Sequence, residues 1–250
     1  KEIPGGAIAG TVDTLKAGNR DIKVTGVVTS MFATVDVIKK AIAMNANFII
    51  AHEPTFYNHA DETAWLENDE VYQYKAKLLK DNNIAVWRNH DYVHSLAVDG
   101  VAKTLAQQLG WLQNGFAKNG FYKLNATLTL RQLIAHAKQK LGIDMLRYNG
   151  DLAQPCKKVL LLPGAWGGKN QIQAISRLKP DVVLCGEISE WETAEYIGDA
   201  RAAGNKIALV LLGHIASEEP GSAFMLKWLQ EKVPAVKATH IPSGNSLEFI

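Results

Sequence analysis

The sequence predicts an α/β protein with two α/β lobes, each containing a largely parallel sheet flanked by helices. Short β-rich runs alternate with longer segments of helical period along the chain. Strands that are separated by single helices imply crossover connections and parallel sheets covered on both faces. The alternation forms two series, so we assign a first lobe to residues 1–115 and a second to residues 116–250. The lobes are expected to depend on each other, and a single domain remains the alternative.

The first series supplies three strands and three helices. Val35, Ile38 and Ala41 recur with helical spacing, and Gly110 is a left-handed stop for the last helix. The predicted strands are Val24–Thr29, Asn47–Ala51 and Ile84–Trp87, and the predicted helices are Val35–Asn45, Glu70–Asp81 and Val101–Leu109.

The second series begins after an irregular stretch around residues 115–120, and Gly142 ends its first helix. The predicted helices are Thr129–Leu141, Gln171–Leu178, Trp191–Ala203 and Pro220–Glu231. The predicted strands are Lys158–Leu162, Asp181–Cys185, Lys206–Leu212, Lys237–Ile241 and Ser246–Ile250.

Composition and charge exclude several classes of protein. The 250 residues carry a net charge of +2 with scattered basic residues, so nucleic acid is not an expected partner. No apolar run approaches the ~20 residues of a membrane span. The two cysteines, Cys156 and Cys185, form neither a CxxC pair nor a disulfide framework, and we expect buried thiols.

Because the sequence begins at Lys1, an upstream signal peptide or a cloning boundary is expected, and the cellular compartment stays open.

Five of the seven histidines fall in three segments, each beginning where a predicted strand ends. The carboxyl ends of strands in open α/β sheets converge on one crevice, so distant side chains can meet there. This placement predicts a metal centre. The segments read AHEPTFYNHAD (Ala51–Asp61), WRNHDYVH (Trp87–His94) and LLGHIASEEPG (Leu211–Gly221).

In the first segment, Pro54 stops the strand and leaves His52 and Glu53 at the rim of the sheet. Successive strand residues point to opposite faces, which argues against both side chains binding one ion. A turn at the strand end, or two neighbouring ions, would remove this objection. The alternative is a hydrogen bond at the rim with no metal.

In the second segment, His90 and His94 share a face if the chain becomes helical after Asn89. Asp91 is either a ligand or an acidic partner that holds an imidazole through its ring N–H. The alternative is a helix cap formed by Asn89 or Asp91, with solvated histidines.

In the third segment, His214 and Glu218 lie four residues apart at a transition from glycine to helix, so one helical turn directs both to one point. Glu219 would point about 100° away, given 3.6 residues per turn. The alternative is a helix cap formed by Ser217 and Glu218.

Imidazole and carboxylate ligands without thiolate suit Zn, Mn, Fe, Co or Ni. One or two divalent ions are therefore expected as cofactors, and the number of candidate ligands favours two ions roughly 3.5–4 Å apart. Such a site favours hydrolysis of a small molecule by a metal-activated water. The candidate ligands are His52, Glu53, His90, Asp91, His94, His214 and Glu218.

Other polar features are weaker. The glycine-rich turn Pro163–Asn170 is either an anion-binding turn or a plain connection, and Cys185–Glu192 either lines a crevice or starts a helix. His59 and Asp61 are candidate partners of the ligands, whereas two further histidines are expected to be structural. These are His136 and His240.

In this order, the three segments resemble the NGG-interacting-factor-three-like family, also known by its bacterial member YbgI, over nearly the whole chain. The family's first signature is a strand ending in His-His-Pro, where this chain has His52, Glu53 and Pro54. The PGAWGG and CGEISEW stretches also resemble the family's second lobe.

The family's second signature is a His followed four residues later by Asp. That register places His90 and His94 on the signature, with His94 in place of the ligand aspartate, and Asp91 is the alternative ligand if the loop is shifted. The third signature, His-x-x-x-Glu, is matched by His214 and Glu218.

This resemblance implies a two-lobed subunit with a dinuclear metal centre between the lobes. It also implies a homo-oligomer, because family members are usually toroidal homohexamers. Some relatives are called GTP cyclohydrolase homologues, which implies a related activity as one possibility.

The leading interpretation is a metal-dependent hydrolase that acts on a nucleotide-like or phosphorylated small molecule. The candidate catalytic groups are Glu53, Asp91 and Glu218, and Glu53, Asp91 or Glu187 is the general acid. The first alternative is a non-catalytic metal-binding scaffold or regulatory protein that forms an oligomer. A third interpretation is that metals only stabilise the seam between the lobes.

Overall fold

The structure, a computed structural model, describes residues 5–112 and 120–248. They form two compact units, the first containing the chain up to Gly100 together with Gly221–Ser246, and the second containing Val101–Pro220 and the chain from Leu247. Each unit has one sheet flanked by helices, which confirms the predicted fold class. The predicted lobe boundary at residues 115 and 116 lies outside the described residues.

Short strands and helices alternate along most of the described chain. The strands are β1 (Leu15–Ala17), β2 (Val27–Ser30), β3 (Phe48–Ala51), β4 (Ala85–Arg88), β5 (Phe121–Thr129), β6 (Arg147–Asn149), β7 (Pro155–Leu162), β8 (Val182–Cys185), β9 (Ala208–Leu211) and β10 (Ala238–His240). The α-helices are α1 (Val35–Ala43), α2 (Glu70–Asp81), α3 (Asp91–His94), α4 (Gly100–Gln108), α5 (Leu130–Leu141), α6 (Gly168–Leu178), α7 (Glu195–Ala202) and α8 (His214–Lys232). A 3-10 turn lies at Ala64–Leu66 and a π-helical turn at Glu190–Ala194.

The sheet of the first unit has the strand order β1-β4-β3-β2-β10. All its pairs are parallel except that of β1 with β4 at the edge. Helices α1 and α2 cover one face around a buried cluster that includes Val28, Ile49, Val86, Ile38 and Leu79. The parallel strands therefore all end at the same edge, where the first two histidine segments begin.

The sheet of the second unit has the order β5-β7-β8-β9-β6, with parallel pairs in the centre and antiparallel pairs at both edges. Alternate residues of β7 and β8 enter two different cores. Val159 and Val182 pack with α4 and α5, whereas Leu160 and Val183 pack with α6 and α7. Both faces are thus covered by helices, as the near-continuous apolar strands require.

Side-chain caps and a left-handed glycine define several helix ends. Thr129 and Gln132 form a capping box at the start of α5, and Gly142 ends that helix in the left-handed conformation with φ of 66°. Thr34 caps α1, and Asp69 caps α2 by accepting a hydrogen bond from the Tyr72 N–H. These caps explain why the predicted and observed bounds of α2 and α5 agree so closely.

Three strands of the structure are absent from the predicted set: β1, β5 and β6. Each is antiparallel to its neighbour and lies at an edge of its sheet. The register of β5 shifts between Lys123 and Leu128, which interrupts the alternation of buried and exposed residues on which strand prediction depends. The predicted strand Ser246–Ile250 is not present in its described part, residues 246–248.

Helix α8 begins at His214, six residues before the predicted start at Pro220. Proline is favoured at the first position of a helix, which is why the sequence suggests that start. The structure instead keeps Pro220 inside the helix, and Gly213, with φ of 91°, precedes the first turn. The predicted helix Trp191–Ala203 is also subdivided, because its first turn is π-helical and α7 begins at Glu195.

Cys156 and Cys185 are free and buried, as predicted. Burial raises the pKa of the Cys185 thiol to about 12, so this residue is an apolar core group and not a reactive thiolate. Among the described residues, no helix combines the length and the apolar character needed to cross a bilayer.

Candidate metal centre

Three imidazoles lie together beyond the carboxyl ends of β3 and β4 in the first unit. One ring nitrogen from each of His52, His90 and His94 lies within 4.8 Å of the others. The ring centroids are 5.0 Å apart for His52 and His90, 5.1 Å for His52 and His94, and 4.8 Å for His90 and His94. The fold therefore brings His52 of the first predicted segment and both histidines of the second into one cluster.

The chain places His52 in a turn directly after β3. The backbone N–H of His52 donates to the Ser30 and Met31 carbonyls at 3.1 Å, so the turn is fixed to the end of β2. Neither His52 nor Glu53 belongs to a strand. The expectation that successive residues face opposite sides of the sheet thus does not apply to them.

The second segment becomes helical, which is the condition under which the sequence predicts a shared face for His90 and His94. Helix α3 begins at Asp91, and the His94 N–H donates to the His90 carbonyl at 3.2 Å. His90 occupies the N-cap position and makes no side-chain capping hydrogen bond.

Each imidazole is held through its Nδ1 atom by an oxygen of the protein. His52 Nδ1 lies 3.0 Å from the Asn89 carbonyl oxygen, His90 Nδ1 lies 3.0 Å from Asp91 Oδ1, and His94 Nδ1 lies 2.9 Å from Asp99 Oδ2. An acceptor at Nδ1 fixes the ring orientation and the tautomer with the proton on Nδ1. Nε2 is then the basic nitrogen of each ring.

This donor set fits a divalent transition metal. Two nitrogens that bind one ion at 2.0–2.1 Å can be separated by at most about 4.2 Å, so a shift of a few tenths of an ångström suffices where the spacing is at its 4.8 Å limit. Three neutral imidazoles suit zinc, and also copper, iron and nickel. Oxygen acceptors behind metal-binding imidazoles are the usual supporting arrangement of such sites.

Glu53 lies beside the imidazole cluster and is buried, with 7% of its surface exposed. Its Oε1 is 3.8 Å from His90 Nε2, and its Oε2 is 3.4 Å from a terminal nitrogen of Arg88. Arg88 is fully buried and also donates to the His52 and His59 carbonyl oxygens. This cation thereby ties Glu53 and the first segment to β4.

Asp91 holds His90 and does not join the imidazole cluster in this structure. Its Oδ1 contacts His90 Nδ1, and its Oδ2 accepts hydrogen bonds from the Thr11 hydroxyl at 2.8 Å and the Val12 N–H at 3.0 Å. Burial raises the pKa of Asp91, but these hydrogen bonds outweigh it and hold the pKa at about 2. This geometry is that of an acidic partner, and the choice between Asp91 and His94 as ligand stays a prediction.

The pKa of His90 is lowered, first by burial and then by the neighbouring His52, although the hydrogen bond to Asp91 acts in the opposite direction. A neutral imidazole is the form that binds a metal. The environment therefore keeps His90 in its metal-binding form at lower pH than an ordinary histidine.

His214 and Glu218 lie in the second unit and form a cluster with Glu187. His214 Nε2 is 3.0 Å from Glu218 Oε2, as the four-residue spacing predicts, and His214 Nδ1 is 3.4 Å from Glu187 Oε2. Glu218 is 3% exposed. Two carboxylates thus contact the two ring nitrogens of one histidine.

Glu218 is packed tightly against the turn that follows β7. A Cβ atom added to Gly164 would lie 2.1 Å from Glu218 Oε1, and the Gly164 N–H donates to the Ser217 hydroxyl at 3.0 Å. Glycine at this position of the predicted Gly-rich turn leaves room for the carboxylate. The Ser217 hydroxyl, which also donates to the His214 carbonyl at 2.8 Å, therefore links the turn to the first turn of α8.

The remaining polar candidates have structural contacts. Asp61 accepts the Phe56 N–H at 2.7 Å and pairs with Arg88, and the His59 carbonyl also contacts Arg88. His136 Nε2 lies 2.7 Å from the Leu109 carbonyl, and His240 Nδ1 lies 3.2 Å from the Thr29 hydroxyl. The last two agree with the predicted structural roles.

Sequence reasoning did not identify Asp13, Thr11, Asp99 or Arg88 as parts of this region. Asp99 lies five residues after His94, and this short spacing is a local signal for their contact. Asp13 and Thr11 lie about eighty residues before their partners, and no local pattern connects them.

Comparisons with known proteins agree with the fold class and with the family resemblance. Residues 13–245 match the family described as Duf34/NIF3 (NGG1p interacting factor 3). The GTP cyclohydrolase 1 type 2 homolog of Clostridium acetobutylicum is 26% identical over 227 residues, which cover 86% of this chain and 80% of that protein.

Two solved structures share the fold at low sequence identity. A Bacillus cereus protein related to NIF3 has a TM-score of 0.77 and 19% identity, covering 98% of this chain and 94% of that one. The protein ybgI has a TM-score of 0.73 and 21% identity, covering 92% of this chain and 88% of that one. Because the family match extends over most of the sequence, the chain belongs to the Duf34/NIF3 (NGG1p interacting factor 3) family.

Proposed function

We propose that this protein is a metal-dependent hydrolase that acts on a nucleotide-like or phosphorylated small molecule. The observation that carries the proposal is the cluster of three imidazoles, each with its Nδ1 atom held by a protein oxygen. His52, His90 and His94 are the proposed ligands in the first unit. His214 and Glu218 remain proposed ligands in the second.

A divalent ion bound by these imidazoles would lower the pKa of water and polarise the bond to be cleaved. The chain itself contributes orientation, because Asn89, Asp91 and Asp99 fix the three rings before any ligand arrives. Glu53 is the proposed general acid or base, since its Oε1 lies beside His90 Nε2 while Arg88 contacts its other oxygen.

The names of the relatives support the substrate class. Several proteins about 25% identical to this chain are named GTP cyclohydrolase 1 type 2 homolog, so a nucleotide is the first substrate class to test. A homo-oligomer, with the hexamer as the expected form, remains part of the proposal by family resemblance.

Metal content and turnover test this proposal together. The intact protein, purified without chelator, should contain bound transition metal, and His94→Ala should lose it. His240→Ala is the matched control, because His240 lies on β10 and contacts Thr29 instead of the cluster. Nucleoside triphosphates and simple phosphoesters would be assayed with added Zn²⁺ or Mn²⁺. Unchanged metal content in His94→Ala would refute the ligand assignment.

A non-catalytic metal-binding protein is the second candidate, and the burial of two side chains of the site favours it. His52 is 6% exposed and Glu53 is 7% exposed, which limits the approach of a substrate to these two side chains. Tight metal binding without metal-dependent turnover across the substrate panel would establish this alternative.

A further inference from the structure

We propose that Asp13 and Thr11 are positioning residues for the imidazole cluster, acting through the backbone and the carboxylate of the second segment. This inference rests on the proposed metal site. It concerns a short segment before β1 that no sequence motif connects with the histidines. Its evidence is a set of hydrogen bonds that joins residues 11–13 to residues 90–92.

The carboxylate of Asp13 replaces the missing cap of helix α3. Asp13 Oδ1 accepts the N–H groups of His90 at 2.7 Å and Asp91 at 2.9 Å, and Oδ2 accepts that of Tyr92 at 2.9 Å. The side chain is only 3% exposed. These three N–H groups stabilise the buried charge, so the position of the carboxylate and that of the backbone that carries His90 depend on each other.

The identity of the N-cap residue explains why a distant aspartate is needed. Helix starts favour Asp, Asn, Ser or Thr at this position, whose side chains accept the first free N–H groups. Here the position is occupied by His90, which makes no capping hydrogen bond and whose ring contacts Asp91. Asp13, 77 residues away, accepts those N–H groups and leaves the imidazole available for the cluster.

Thr11 controls the ring of His90 through Asp91. The Thr11 hydroxyl donates to Asp91 Oδ2 at 2.8 Å and accepts the Asp13 N–H at 3.0 Å, so both residues of the segment are linked. Asp91 Oδ1 in turn holds His90 Nδ1. The segment therefore fixes the backbone of His90 through Asp13 and its ring through Thr11.

Preorganisation of this kind raises metal affinity, since fewer side-chain and backbone motions are lost when the ion binds. Removing one supporting group behind a metal ligand typically weakens binding by about 10–100-fold. The two residues are therefore expected to affect affinity and coordination geometry while contacting no ion themselves.

The test uses Co²⁺, whose visible absorption reports coordination geometry, with the full chain. Asp13→Asn and Thr11→Val should bind Co²⁺ about 10–100-fold more weakly and with an altered band, and Thr11→Ser should restore binding by returning the hydroxyl. Asp21→Asn and Thr14→Val are matched controls, because both residues lie in the same region without hydrogen bonds to residues 90–92 in the described structure. If Asp13→Asn does not fold, the Thr11 pair decides the question.

The outcomes separate this inference from the proposed function. Absence of Co²⁺ binding by the unmodified protein would remove the metal site, and the inference with it. Binding by the unmodified protein, together with unchanged affinity and absorption in both Thr11→Val and Asp13→Asn, would overturn the positioning role and leave the metal site intact. Loss of affinity in Thr11→Val with recovery in Thr11→Ser supports it.

Discussion

Lys75 shows how one buried side chain makes the stability of this protein depend on pH. It lies on α2, is 4% exposed, and donates from Nζ to the Thr55 carbonyl at 2.6 Å. The ammonium also lies over the rings of Phe56 and Tyr57. Burial lowers its pKa from 10.5 to about 8, although Asp61 acts in the opposite direction.

Stability should therefore rise with pH relative to a variant without this charge. Below about pH 8 the ammonium is protonated in the folded and unfolded chains alike. Between pH 8 and 10.5 the unfolded chain binds more protons, so the free energy of unfolding increases with pH. From pH 7.5 to pH 10, the free energy of unfolding of the intact protein should increase by about 2 kcal/mol more than that of Lys75→Met, as measured by urea unfolding.

The control for this prediction is Lys77→Met on the same helix. The Lys77 side chain is 74% exposed, so solvent screens its charge and a smaller pH effect is expected. An equal response of the two variants would show that burial of Lys75 is not the cause.

At the residue scale, the sequence predicts the members of the histidine cluster better than their support. His52, His90 and His94 were predictable because parallel strands end at one edge, so residues that follow them converge. Arg88 and Asp13 were not predictable, because each satisfies backbone groups that only the folded chain brings near. Such contacts have no period or spacing in the sequence.

At the scale of elements, the turn after β7 and helix α8 depend on each other through Gly164. Its φ of 66° suits glycine, and Glu218 occupies the space of a side chain there. Gly164→Ala should therefore displace the Glu218 carboxylate from His214 and lower the free energy of unfolding. Gly110→Ala is the control, because Gly110 has φ of 73° but no atom within 4 Å of its added Cβ.

The difference between the two variants isolates the close approach from backbone strain. Gly164→Ala should be about 1–2 kcal/mol less stable than Gly110→Ala in urea unfolding, since only the former requires repacking of a buried side chain. A crystal structure of Gly164→Ala should show a longer distance between His214 Nε2 and Glu218. Equal stability and an unchanged distance would contradict this packing argument.

Elements with strong periodicity and caps were predictable, and those at sheet edges were not. Helix α2 has the predicted bounds, Glu70–Asp81, and the Asp69 side chain caps its start. Strand β5 was missed because its pairing shifts register within the strand. The predicted start of α8 at Pro220 is six residues too late. The preference of proline for the first helical position favours that start, but the helix begins at His214, directly after Gly213.

At the scale of the whole molecule, metal binding is expected to stabilise the folded protein, because the ligand cluster exists only in the folded chain. A free metal concentration of a hundred times the dissociation constant adds about 2.7 kcal/mol to the free energy of unfolding. For a chain of this size, that increase corresponds to a rise of about 5–10 °C in Tm. Calorimetry of the intact protein with and without Zn²⁺ should show this rise, and chelator should reverse it.

His94→Ala is the control for that measurement, since it removes one of the three clustered imidazoles. Its Tm should be insensitive to the metal. A similar rise in both proteins would mean that the stabilising metal binds elsewhere.

The fold class at this scale was predictable from alternating strands and helices. The return of the C-terminal strand β10 to the first sheet was not predictable, because the local sequence of a short strand does not determine which strand it pairs with.

Strand β10 closes the parallel edge of β2, and this has a consequence for biosynthesis. The partner of Val27–Ser30 emerges from the ribosome roughly 210 residues later. At roughly 5–20 residues per second, translation leaves that edge exposed for about 10–40 s. The β2 edge therefore stays unpaired until residues 238–240 have been synthesised, and during that interval its free backbone groups can pair with other strands.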